Sequence, residues 1–426
     1  MIGTLKQILQ ESSADRWRVS CEYIKGWEFY LIADRLDQNR IRNVHHIEVT
    51  VFMNSEDGTK TGSASAPVSV SDNEPALRRT VSDLAARAAF AMNPYYDGVR
   101  PSGPDILHTE YETLEKRSRD ILDTLKTVPV SGDASLNSCE VFTDEVTRRI
   151  ITSEGIDMEE TVPATMIETV VNAREGDHEI EVYRMYRSGL AETAAYREQV
   201  EEAMKTGRDR LHAVKTPALG KIPVLFTNEH AAVLCSYFTD RMDAAYIYRK
   251  MSTWKKGSPV CDAQCDRVTL ESLRYLPGSP ANRSFDGEGS PVRDAVLIRD
   301  GIAERYWGGH MYSTYIGEED SFILSNYRIT GGTYTEAQLR TGKYLEVREF
   351  SDFHCDPATG DIFGEIRLAY LHDGEDVIPV TGGSVSGSML EFARTLKMSR
   401  NVTRYGSCEI PAVIRLEGVT VAGFAE

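Results

Sequence analysis

No stretch of this 426-residue chain approaches the ~18 consecutive apolar residues of a helical membrane span. The longest aliphatic runs, of the kind Val292 to Ile302, are broken by Arg and Asp. Met1 to Arg18 likewise lacks the apolar core of ~7 to 15 residues that a secretory leader needs, so secretion is not expected. Basic residues are in deficit: 48 Lys and Arg stand against 65 Asp and Glu, a formal charge of -17. Nucleic acid is bound chiefly by neutralising its phosphates with Lys and Arg, so direct DNA contact over most of the surface is disfavoured. Seven cysteines, Cys21, Cys139, Cys235, Cys261, Cys265, Cys355 and Cys408, are odd in number and scattered. That pattern suits free thiols in a reducing cytoplasm better than a disulfide framework.

What is present reads as a mixture of strands and helices. Apolar residues alternate at Ile47, Val49, Val51 and Met53, and Asp57-Gly58 follows as a turn, which predicts a hairpin. Ser71 or Asp72 is placed to cap a helix carrying Leu77, Val81, Leu84 and Ala88 on one face and ending near Asn93-Pro94. A surface helix is expected over Tyr111 to Leu125, three or four strands over Cys139 to Tyr186, and a helix from Ala191 to about His212. Pro217 and Gly220 mark a boundary. Beyond it, a strand at Ile222 to Phe226 leads into a helix from about Glu229 to Lys250. Hairpins turn at Asp300-Gly301 and Asp373-Gly374, a helix covers Ser388 to Lys397, and a strand covers Val413 to Leu416. The inventory is α+β, in two domains, 1–215 and 216–426.

No complete catalytic motif stands out. The His-Glu pair His178-Glu179 lies in an alternating strand pattern with no second His close behind, unlike a zinc-protease helix. Cys261 and Cys265 lack a second ligand pair at zinc-ribbon or finger spacing. His45-His46 and His354-Cys355 are neighbours that a strand would point to opposite faces. Gly382 to Gly387 has the wrong spacing for a nucleophile elbow and reads as a turn, and no phosphate-binding loop or dinucleotide fingerprint occurs. The unusual segment is Asn282 to Gly289. Its Arg283, Phe285, Asp286 and Glu288 between glycines form either a binding lip or a turn whose acids satisfy backbone amides.

Several words along the chain carry a resemblance. They are Thr152 to Asp157, Ile222 to Glu229, Arg283 to Gly289, Val296 to Gly301, Thr359-Gly360-Asp361, and Ile414 to Gly423. In this order the chain resembles the TldD/TldE (PmbA) family, on the TldE side. The family was first labelled as modulators of DNA gyrase and is associated with zinc-dependent proteolysis and peptide maturation. TldD-like subunits carry a His-Glu-x-x-x-His helix that holds zinc together with a later Cys. Here the matching positions are Thr227, Asn228 and Ala232, His230 is out of register, and Cys408 lacks the Gly-Lys that would follow it. Tyr315 to Glu319 and Thr381 to Ser384 also depart from the TldE words.

The resemblance implies two PmbA/TldD-like domains, the second rich in curved antiparallel sheet. It also implies a non-catalytic subunit, with no catalytic or metal residue in this chain and zinc in a TldD-like metalloprotease partner that acts on unfolded peptide. Arg283, Phe285, Asp286 and Glu288 are the expected peptide or partner contacts. A cytoplasmic homodimer without its partner is compatible with this, and neither membrane nor direct nucleic-acid contact is expected. Two alternatives stay open: a stand-alone peptidase with another site, such as His354 with Cys355, and a protein-binding modulator of gyrase.

Overall fold

Long alternating runs build the first half. In the computed structural model, which describes residues 1–103, 106–107, 109–262 and 265–425, seven antiparallel strands form one sheet. They are β1 (Arg16–Ile32), β2 (Arg35–Asn54), β3 (Lys60–Val68), β4 (Met92–Pro94), β5 (Ala134–Thr152), β6 (Asp157–Glu175) and β7 (His178–Ser188). Their order is β4-β3-β2-β1-β5-β6-β7. Four helices cover one face: α1 (Ile2–Glu11), α2 (Glu74–Ala88), α3 (Leu114–Leu125) and α4 (Thr193–His212). Side chains alternate across a sheet, so in β1, β2, β6 and most of β5 the odd-numbered residues supply this core, while β3 and β7 supply it with even-numbered ones such as Val68 and Val182. Trp17, Val19, Val49 and Val51 pack under Leu5, Leu9, Leu77 and Val81, and Leu31, Val141, Ile167 and Val171 pack under Ile121, Leu125, Tyr196 and Val200. Even-numbered residues of β1, β6 and most of β5, including Arg18, Arg148, Ile150 and Glu160, point to the opposite face. β3 pairs only with Ile47 to Asn54, so residues 35–46 of β2 have no neighbour on their outer edge among the described residues.

The second half is a curved β structure. Val214–Lys215 (β8) joins its sheet by pairing with Val380 and Thr381. Gly220–Phe226 (β9) runs into α5 (Asn228–Asp240) and then α6 (Ala244–Tyr248). β9 lies between Tyr344–Cys355 and Ile414–Ala422, and Ser384–Ser388 and Asp361–Asp373 continue the ring. Tyr344–Cys355 pairs back onto Asp361–Asp373 and closes it. A second sheet orders its strands 302–303, 295–299, 269–273, 326–330, 408–411 and 402–405. Most pairings are antiparallel, as expected, but β9 with Tyr344–Cys355, Asn326–Thr330 with Cys408–Pro411 and β8 with Val380–Thr381 are parallel. Leu234, Tyr237 and Phe238 of α5 fill the common core with Val224, Leu297, Ile329 and Leu416.

The three Asp-Gly hairpins and the run of strands after Cys139 appear as expected. Some boundaries differ, each for a physical reason. Helix α2 is capped by Asn73, whose side chain accepts from the Ala76 N–H, and it stops at Ala88 because residues 92–94 are recruited as an edge strand of β3. The expected helix to Lys250 breaks at Arg241–Asp243, where the Asp243 carboxylate accepts from the Ala245 N–H and starts α6. Only Met389–Phe392 is helical in the expected Ser388 to Lys397 helix, since Lys397 and Met398 pair with Arg415 and Ile414. Helix α3 is more than a surface helix. Its Arg117, 1% exposed, reaches through to donate to the carbonyls of Glu112, Ala164 and Asp144.

Candidate functional site at the seam between the two halves

The Asn282–Gly289 segment folds as a turn and plugs into the even-numbered face of the first sheet. Phe285, 4% exposed, inserts between Ile150 and Ile156. The Ser284 N–H donates to Glu160 Oε2 at 2.8 Å, and the Leu107 N–H donates to Ser284 Oγ at 2.7 Å. Asp286 Oδ1 accepts from the Glu288 and Ser290 N–H groups, each at 2.8 Å, so this acid satisfies its own loop. Burial, and then the Glu288 charge, push its carboxyl up to about 6. Glu288 Oε2 accepts from the His310 N–H at 2.9 Å, and its Oε1 lies 3.5 Å from Arg18. Arg283 makes no hydrogen bond or ion pair with a described residue, and its Nε is buried without a partner.

Sequence reading did not single out His310 or Ser321, which lie beside this loop. His310 Nδ1 is 2.9 Å from Ser321 Oγ, and its Nε2 is 3.6 Å from Asp97 Oδ1. Ser321 Oγ is 3.2 Å from Ser290 Oγ. The Gly308-Gly309 pair before His310 was the available signal, but the partners come from segments far apart in sequence. The 3.6 Å separation from Asp97 is longer than a hydrogen bond, and the geometry is that of a polar seam rather than an assembled nucleophile.

The stretch matching the family's zinc helix offers a poor donor set. Thr227 is the N-cap of α5, and Asn228 begins the helix with a left-handed φ of 48°. Ala232 carries no ligand atom. His230, 7% exposed, turns into the core with its ring 4.8 Å from Phe350 and 5.6 Å from Phe353. Burial lowers its imidazole to about 4 against an opposing hydrogen bond to the Arg348 backbone. Its Nδ1 is unpartnered, but aromatic rings surround it, where a zinc site would need further His, Cys or carboxylate ligands. Cys408 is buried, donates from Sγ to the Tyr405 carbonyl at 3.0 Å, and has its thiol raised by burial. These residues do not fit a zinc ion.

The other ligand-type residues stay apart. His178 and Glu179 are exposed at the start of β7, and His45 stacks on Tyr23 at 4.4 Å. Burial pushes the Cys355 and Cys265 thiols up to about 12, far from a reactive thiolate at neutral pH. Among the described residues no group of three His, Cys, Asp or Glu is placed to hold a metal.

Comparison with known proteins fits this architecture. Residues 219–423 match the model of the PmbA/TldA metallopeptidase C-terminal domain. The metalloprotease PmbA of Escherichia coli O157:H7 is 26% identical over 181 residues, 41% of this chain and 40% of that protein. The match therefore spans well under two thirds of the curated relative. The crystal structure of TldE from Thermococcus kodakarensis superposes with a TM-score of 0.79 at 14% identity, covering 99% of this chain and all of that one. A structure described as a proposed modulator of a DNA gyrase, from Thermotoga maritima, gives 0.77 at 16% identity over the same 99%. At such identities the two structures establish the shared fold. Residues 219–423 thus match the PmbA/TldA metallopeptidase C-terminal domain, and the chain along its whole length shares the fold of these two structures.

Proposed function

We propose that this chain is a TldE-like subunit without a catalytic metal of its own, working with a zinc-bearing TldD-like subunit on unfolded peptide in the cytoplasm. The observation that carries the reading is the start of α5, where Thr227, Asn228 and Ala232 stand at the motif positions and His230 is buried against Phe350 and Phe353. One imidazole inside an aromatic cage gives too few ligands for tetrahedral zinc. Main-chain pairing supports the peptide part. The uncovered edge of residues 35–46 offers backbone donors and acceptors that grip an extended chain with little regard for its sequence. In the Asn282–Gly289 loop, Phe285 and Asp286 hold the seam and Glu288 is engaged by His310 and Arg18, while Arg283, half-buried and without an ion pair among the described residues, is the member most available to a peptide or partner.

Metal content of untagged protein, purified without chelator and measured by inductively coupled plasma mass spectrometry, tests the reading. Near-zero zinc is expected, with casein-type substrates cleaved only after a His-Glu-x-x-x-His subunit is added. Zinc at about one atom per chain, together with peptidase activity of the chain alone, sinks the proposal. In that case the stand-alone peptidase is the better reading.

A further inference from the structure

We propose that the surface formed by α6 and its C-terminal flank, together with His310–Tyr315 (α7), docks an extended acidic segment of a partner protein. The charge pattern comes first. Residues 246–256 read Tyr-Ile-Tyr-Arg-Lys-Met-Ser-Thr-Trp-Lys-Lys, with four cations and no acid, in a chain whose formal charge is -17. Lys250 and Lys255 make no ion pair with a described residue. Arg249 donates to the Tyr312 hydroxyl and lies close enough to Asp243 to stabilise that carboxylate, and Lys256 is paired with Glu318, which leaves Lys250 and Lys255 as the cations without an acidic partner among the described residues.

The rings supply the second observation. Tyr248 touches Tyr312 and Tyr315, with centroids 5.7 and 5.1 Å apart, and Tyr315 meets Tyr96 at 6.0 Å. The Arg249 guanidinium lies 4.9 Å over the Tyr312 ring. Tyr248 is 42% exposed and Met251 38%, so large apolar side chains face solvent beside the cations. Tyrosine, arginine and methionine are the residues enriched where proteins bind each other, and rigid rings lose little entropy on contact.

Charge complementarity selects the occupant. Carboxylates of an extended segment would meet Arg249, Lys250 and Lys255 while its apolar side chains cover Tyr248 and Met251. A nucleic-acid strand fits less well. Tyr312 with Tyr315 and Tyr315 with Tyr96 pack edge-on, at interplanar angles of 88° and 89°, and so offer few free faces for base stacking. This surface is independent of whether the chain works with a metal-bearing subunit.

The test uses the full chain and a tetramethylrhodamine-labelled twelve-residue peptide in which Glu alternates with Ser and Phe. A Gln-for-Glu version and a labelled oligo-dT of the same length serve as comparisons, with affinity read by fluorescence anisotropy at low and high salt. The Glu peptide is expected to bind roughly tenfold or more tightly than the Gln peptide, with the gap closing as salt rises. The Lys250→Glu/Lys255→Glu double variant should lose that preference, and Tyr248→Ala should weaken both peptides. Lys221→Glu, a charge reversal on β9, should change neither. Equal binding of the two peptides, a double variant that keeps the preference, tighter binding of oligo-dT, or no binding at all would each overturn the assignment.

Discussion

A Phe285→Ala variant is expected to lose about 3 to 5 kcal/mol of stability, the usual cost of removing a buried ring when the surroundings only partly collapse. Phe285 is 4% exposed and is the contribution of the second half to a cluster with Ile150 and Ile156 of the first. The loss should therefore appear as uncoupling of the halves as well as a lower midpoint. Urea unfolding followed by tryptophan fluorescence can read this, because Trp17 and Trp27 report on the first half and Trp254 and Trp307 on the second. Two separated transitions, or a clear drop in the first midpoint, are expected. Phe285→Leu keeps most of the volume and should cost far less. A Phe285→Ala loss below about 1 kcal/mol would show that the ring does not hold the seam.

Asp286→Asn should have the opposite sign at neutral pH. Folding raises this carboxyl from 3.8 to about 6, so the folded protein holds the proton more tightly than the unfolded chain does. That stabilisation is fully present below pH 3.8 and is lost as the pH rises through 6. At neutral pH the ionised group costs roughly 3 kcal/mol relative to its neutral form, at about 1.36 kcal/mol per pKa unit. An asparagine with its carbonyl at Oδ1 still accepts from the Glu288 and Ser290 N–H groups and carries no charge to bury. The variant should exceed wild type by about 2 to 3 kcal/mol at pH 7, with the gap closing towards pH 4. His230 works the other way. Folding lowers its imidazole from 6.5 to about 4, so its contribution is present above pH 6.5 and is lost as the pH falls towards 4. The two slopes largely cancel in wild type between pH 4 and 6. Without Asp286, the His230 contribution should make stability climb with pH over that interval; a gap that stays constant with pH would contradict this account of Asp286, and a variant whose stability does not climb would contradict that of His230.

What the sequence disclosed was local. Asp57-Gly58, Asp300-Gly301 and Asp373-Gly374 announced hairpins because the turn itself demands such residues, and Tyr196, Val200 and Met204 announced α4 because one helical face must be apolar. Arg117 shows what stayed hidden. A charged residue within a charged helix reads as solvent-facing, yet its partners are carbonyls of β5 and β6, brought close only by folding. The candidate loop was half legible: the self-satisfying turn of Asp286 is written in its own residues, but the socket for Phe285 belongs to a sheet more than a hundred residues earlier. The cluster on α6 and α7 was missed because Tyr248 and Tyr312 meet only in three dimensions, and an overall acidic composition masks a short basic run.

The place of Ile414–Ala422 beside β9 has a consequence for the order of events during synthesis. Phe226 pairs with Ile414, nearly two hundred residues further on. At about 5 to 20 residues per second, a ribosome leaves that edge bare for roughly ten to forty seconds. Throughout this interval β9 and the apolar residues of α5 lack their final cover. The nascent second half is therefore the part of the chain most in need of a chaperone, and slowing elongation between the two strands should lower soluble yield more than the same delay within β1 and β2.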